Sequence, residues 1–125
     1  MKIYKDCKRI EMYSGDTGEM TFRLRGADFT ANDKVLFTVK DRKKNEVIRK
    51  IFPIDNSLCV VHFAHLDTEN LPAGDYWWDI RIFFDAQFDA EGKLVEENGV
   101  NTPGSPYLLK ILGTVGDSKG GATDG

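Results

Sequence analysis

The run from Tyr76 to Phe84, Tyr-Trp-Trp-Asp-Ile-Arg-Ile-Phe-Phe, constrains this chain more than any other feature. Side chains along a β-strand alternate between faces with a period of two. Tyr76, Trp78, Ile80, Ile82 and Phe84 therefore form one inward stripe, and Trp77, Asp79, Arg81 and Phe83 lie opposite. Nine residues of that pattern predict a long strand with a fully apolar inner face. The same period marks 19–25, where Met20, Phe22 and Leu24 face one way and Thr21, Arg23 and Arg25 the other. It marks 34–40 as well, with Val35, Phe37 and Val39 inward.

Further strands follow from turn chemistry. Ser14 to Gly18 is a turn cluster, and the charged segment from Lys2 to Tyr13 reads as one or two edge strands around Lys8-Arg9. Asp41 to Asn45 makes a polar hairpin loop into a strand over 46–52, and Pro53 to Asn56 turns the chain again. Residues 57–63 carry apolar side chains on both faces, which predicts a central strand. The stretch from His65 to Asn70 breaks the alternation and is expected to hold one helical turn capped by Asp67 or Thr68. Asp85 to Pro106 reads as a long loop with a strand pair near Lys93-Leu94-Val95, and Tyr107 to Leu112 closes the set. About seven strands and no long amphipathic helix predict an all-β sandwich or small barrel.

One local motif sharpens that expectation. Leu71-Pro72-Ala73-Gly74-Asp75-Tyr76 has the form of a tyrosine corner, in which a strand-leading Tyr returns its hydroxyl to the backbone upstream. The expected fold is therefore an immunoglobulin-like Greek-key β-sandwich of about seven strands. Residues 1–113 are expected to form a single domain, of the commonest domain size. Residues 114–125, rich in Gly, Ser and Asp, are expected to form a flexible tail.

Composition narrows the function classes. Lys and Arg number 17 and are interspersed with 20 acids, for a net charge of -3. That balance disfavours nucleic acid, whose phosphates select a basic face. No segment offers the roughly 20 apolar residues a membrane-spanning helix needs. The first residues lack the apolar core of a signal peptide, so a cytoplasmic site of synthesis is expected. Cys7 and Cys59, on two different strands, could bridge the sheets. Reduced thiols are the expected state, since cytoplasmic disulfides are rare.

No catalytic, cofactor-binding or metal-binding constellation emerges. His62 and His65 have a ligand-like spacing, but on a strand and its exit they do not converge, and Cys59 faces opposite His62. Asp85, Asp89 and Glu91 could offer oxygens to calcium, yet they lack the ladder of a calcium-binding loop, and Asx turns account for them. No nucleophile lies beside a histidine base and no phosphate-cradling glycine loop precedes a helix. An enzyme is not expected. The candidate interaction surface is the outward face of the long strand: Trp77 and Phe83, with Asp79 and Arg81 able to pair between them. Exposed aromatics on a sheet suggest a protein or sugar partner. The competing reading is that the long loop or the N-terminal segment covers them.

The order of elements resembles the small β-sandwich modules of tailed-phage and prophage structural proteins, in particular the N-terminal domain of upper baseplate proteins. Gly15-Asp16-Thr17 before the first core strand carries the resemblance, as do Asp33 to Lys40 and Asp67-Thr68. The run from Leu71 to Ile80 and the closing Tyr107-Leu108-Leu109 complete it, over residues 12 to 113. The resemblance implies a non-catalytic virion structural protein that contacts other virion proteins or copies of itself. Its location would be the bacterial cytoplasm during assembly and then the virion. The alternative is a carbohydrate-binding or adhesin-like domain using Trp77, Phe83 and the 85–106 loop.

Overall fold

The computed structural model describes residues 1–25, 28–97, 99–104 and 106–113. The expected tail, 114–125, lies outside the described residues. Eleven strands and one short helix follow in chain order: β1 (Lys2–Tyr4), β2 (Arg9–Tyr13), β3 (Gly18–Arg23), β4 (Lys34–Lys40), β5 (Glu46–Pro53), β6 (Leu58–Phe63), α1 (His65–Thr68), β7 (Gly74–Phe83), β8 (Gln87–Phe88), β9 (Leu94–Glu96), β10 (Val100–Asn101) and β11 (Tyr107–Leu112).

The large sheet runs β1-β2-β11-β7-β4-β5, with β10 paired to the far end of β7. Its pairs are antiparallel except β2 with β11. β3 and β6 pair antiparallel and form the opposing layer, and β8 with β9 make a separate hairpin. Seven of these strands, β2 to β7 and β11, build an immunoglobulin-like Greek key, in which the chain leaves the large sheet at β5, enters the small one at β6 and returns at β7. β1 and β8 to β10 are additions.

The core lies between the two layers and is made by the alternation. Val35, Phe37 and Val39 of β4 meet Tyr76, Trp78, Ile80 and Ile82 of β7 from the same sheet. Met20 of β3 and Cys59, Val61 and Phe63 of β6 close over them, while Ile10, Met12, Leu109 and Ile111 extend the floor. Trp78 stands at the centre. Its ring lies 5.6 Å from Phe22, 5.8 Å from Phe37 and 4.8 Å from Tyr107, in the tilted arrangements that aromatic quadrupoles favour. Phe37 meets Phe63 edge to face at 5.5 Å.

The corners follow from local chemistry. The Tyr76 hydroxyl donates to the Pro72 carbonyl at 2.7 Å, forming the expected tyrosine corner. Between β5 and β6, Asp55 and Leu58 exchange backbone hydrogen bonds of 2.9 and 2.8 Å around Asn56 and Ser57. Both central residues are left-handed, at φ 50° and 63°. Such a pair gives the primed turn whose twist matches its strands, and it carries the chain from one layer to the other.

Three expectations are corrected. β2 is not an edge: β1 covers one side and β11 the other, because Ile10 and Met12 supply an inner face that charge counting overlooks. β6 is not central, since among the described residues its only ladder partner is β3, and its outward Val60 stays exposed. Asp67 does not precede the helix; it sits in the first turn of α1, where its carboxylate accepts from the Ala64 N–H at 2.6 Å and pairs with Lys50. Thr68 is buried, and its hydroxyl oxygen accepts from the Gly15 N–H at 2.9 Å.

Candidate interaction groove on the large sheet

The outer face of the large sheet is set by the β4–β7 register, which places Lys40 opposite Trp77, Thr38 opposite Asp79, Leu36 opposite Arg81 and Lys34 opposite Phe83. Half of this face is covered and half is open. Over the covered half, Phe83 is only 6% exposed and packs with Leu36 and Ala86, with Ile51 and Phe88 against them. Phe88, from the β8–β9 hairpin, meets Phe83 edge to face at 5.6 Å. The long loop therefore buries Phe83, and the reading of Phe83 as an exposed contact is corrected. Its partners are 36, 51, 86 and 88, an apolar set that alternation along one strand cannot reveal.

The lid is held by backbone chemistry. The Arg49 guanidinium donates to the Gly92 carbonyl at 2.9 and 3.2 Å. Asp89 accepts from the N–H groups of Glu91 and Lys93, both at 2.9 Å, so its carboxylate serves an Asx-type turn. At the base, buried Asp33 accepts from the Thr30 N–H at 2.7 Å and the Asp85 N–H at 2.8 Å.

The open half is a groove of about 420 Å³ lined by Thr38, Lys40, Asp41, Arg42, Lys44, Trp77, Trp78, Asp79 and Pro106. Trp77 is 39% exposed on its floor and Asp79 is half-buried beside it. One wall is the β4–β5 hairpin. There the Asp41 carboxylate accepts from the Asn45 and Lys43 N–H groups at 2.9 and 2.8 Å, and chiefly the first of these holds its carboxyl below the ordinary carboxylate range. Arg42 reaches Asp75 of β7 at 3.7 Å. An indole on a rigid strand, ringed by three cations and two carboxylates, suits an amphipathic partner with both charges.

Of the four sequence candidates, the groove contains Trp77 and Asp79. Arg81 is exposed and donates to the Thr102 hydroxyl at 3.2 Å, beyond the groove's lining, so it does not pair with Asp79 there. Sequence reading missed Thr38, Lys40 and the hairpin residues. The alternation places Thr38 and Lys40 outward, but only the cross-strand register makes them neighbours of Trp77.

The two histidines and two cysteines do not converge. His62 is exposed and reaches Glu19 at 3.4 Å. His65 turns away, with Nδ1 2.7 Å from the Gly15 carbonyl and Nε2 3.3 Å from Glu69. The Gly15 contact, more than Glu69, raises its pKa above the usual 6.5. Cys7 is exposed and Cys59 buried, and both are free. Among the described residues, no three His, Cys, Asp or Glu side chains are placed to hold a metal ion. No helix among the described residues is long and apolar enough to cross a membrane.

No protein-family model and no curated protein matches the sequence. Among solved structures, a Bacteroides vulgatus chain described as a "putative glycoside hydrolase" shares 10% identity with this one, at a TM-score of 0.43. The overlap covers 85% of this chain and 16% of that chain's length. Likeness at that level carries no argument about activity.

Proposed function

We propose that this chain is a non-catalytic assembly module that docks a neighbouring protein through the Trp77 groove. The observation that carries the reading is a large aromatic side chain left exposed on the floor of a concave, charge-ringed surface, on a strand fixed from both sides. Such an indole is the kind of anchor that dominates protein interfaces. The resemblance to phage and prophage baseplate modules supplies the setting: assembly in a bacterial cytoplasm and residence in a virion.

A Trp77→Ala variant tests it. Should tail or baseplate genes neighbour this one, co-expression of their products with this chain is expected to yield a co-eluting complex, lost in the variant while its circular dichroism is unchanged. A complex that survives the substitution rejects the groove. An exposed indole beside a carboxylate also suits a sugar ring, which favours the carbohydrate-binding alternative. A glycan panel read by tryptophan fluorescence separates the two, since a saturable response lost in Trp77→Ala would replace the assembly reading.

A further inference from the structure

The two layers of the sandwich are unequal. Among the described residues a seven-stranded sheet faces the two-stranded layer of β3 and β6, and β3 has no ladder partner on its outer edge. Beside that edge the layers part, leaving a cleft of about 320 Å³ whose walls include Phe22, Ile80 and Tyr107. Phe22 is only half-buried here, although Met20 and Leu24 on the same face of the chain are buried. The lining residues include two cations, Lys8 and Arg23, and no carboxylate.

Trp78 also lines this cleft, its indole packed between Phe22 and Tyr107. The residue is 1% exposed, and its Nε1–H finds no acceptor among the described residues. Indole nitrogen only donates, and a buried donor without an acceptor forfeits its hydration without replacement. A cleft with a free strand edge, apolar walls and a cationic rim suits an extended, acidic segment.

This chain carries one. Among the described residues β9 pairs only with β8, and it exposes Leu94 and Val95, the latter 63% exposed. It sits in the acid-rich run that contains Asp89, Glu91 and Glu97. The β8–β9 hairpin packs on the outer face of the large sheet, through Phe88 on Phe83, whereas the cleft opens between the layers. We propose that β9 of one copy enters the β3 cleft of a second copy. Its apolar side chain fills the space beside Phe22 and the Trp78 ring, and its acids oppose Lys8 and Arg23. Donor and acceptor surfaces differ, so the contact is heterologous and propagates into a ring or a filament. It specifies a partner for the assembly reading but uses another surface than the Trp77 groove, so the two fail separately.

Sedimentation over a concentration series up to ~1 mM, the weak end of specific association, tests the proposal together with the indole N–H resonances. Trp77→Phe serves only to identify the Trp78 resonance, since the chain holds two tryptophans. In the full chain, the Trp78 signal shifts as copies associate, because the cleft its ring lines is filled. Val95→Lys and Arg23→Glu are each expected to weaken association at least ~10-fold. Mixed together they form a heterodimer and stop, because one intact strand and one intact cleft remain between them. Lys8→Glu replaces Arg23→Glu should the latter fail to fold. A chain that stays monomeric throughout overturns the proposal, as does association indifferent to both variants or a Trp78 signal that never moves. A Trp78 signal that moves with added polyglutamate while the chain stays monomeric would assign the cleft to a different acidic protein, and overturns the second copy.

Discussion

Replacing Tyr76 by Phe removes one oxygen and leaves the ring in the core. Tyr76 is 6% exposed, and its hydroxyl makes a single 2.7 Å bond to the Pro72 carbonyl. A neutral hydrogen bond of this kind contributes about 1 kcal/mol net, and more when the abandoned partner stays dry. Pro72 is exposed, so its carbonyl can rehydrate, and the expected loss is about 1–1.5 kcal/mol. At roughly 2 cal/mol/K of unfolding entropy per residue, a chain of this length should lose about 4–6 °C in Tm. Urea unfolding should show a lower midpoint at an unchanged slope.

The pH dependence of the same pair sharpens the test. Burial, assisted by the nearby Asp41 carboxylate, raises the Tyr76 pKa above its ordinary value of 10. The unfolded chain therefore ionises this group more readily than the folded one. Its contribution is whole below about pH 10 and is lost as pH rises through the folded value. The stability gap between the parent and Tyr76→Phe should hold steady from neutral pH to 9 and narrow above 10. A substitution costing less than about 0.3 kcal/mol, within the scatter of ordinary surface changes, or a gap flat into strong alkali, would refute the corner as a stabilising element.

Other outcomes follow from the same structure. Asp33→Ala should cost about 2–4 kcal/mol, because two N–H groups lose a charged acceptor, and should speed amide exchange at Asp85; unchanged exchange there would contradict its role as the loop's anchor. Burial pushes the Cys59 thiol up to about 11, so at pH 8 an aromatic disulfide reagent should titrate the exposed Cys7 alone until denaturant is added. His65, raised above 6.5 mainly by the Gly15 carbonyl, contributes stability that is whole below that value and lost as pH climbs through its folded pKa. His65→Ala should therefore lose more at pH 5.5 than at pH 8, and equal losses would place the Gly15 contact outside the folding equilibrium.

The sequence by itself determined the faces. A period of two sorts Tyr76, Trp78, Ile80 and Ile82 from Trp77, Asp79, Arg81 and Phe83 without reference to any neighbour, because a strand's pleat is a local property. The tyrosine corner and the turn at Asp41 were legible for the same reason: each is closed by groups within four residues of one another. What a face meets is a different matter. Phe83 and Trp77 carry the same outward signature, yet a hairpin folded back from 87–96 buries one and leaves the other open. β6 reads as central because both its faces are apolar, but the layer it joins is only two strands wide. The groove around Trp77 and the cleft beside Trp78 exist because residues distant in the chain come together: Lys40 in register with Trp77 in one, Phe22 of β3 beside Pro103 and Tyr107 in the other. Register and layer width are settled by the summed burial of all strands at once. No single strand's pattern contains them, and so the outward Trp77 comes to lie in a groove and the inward Trp78 beside a cleft only when the strands assemble.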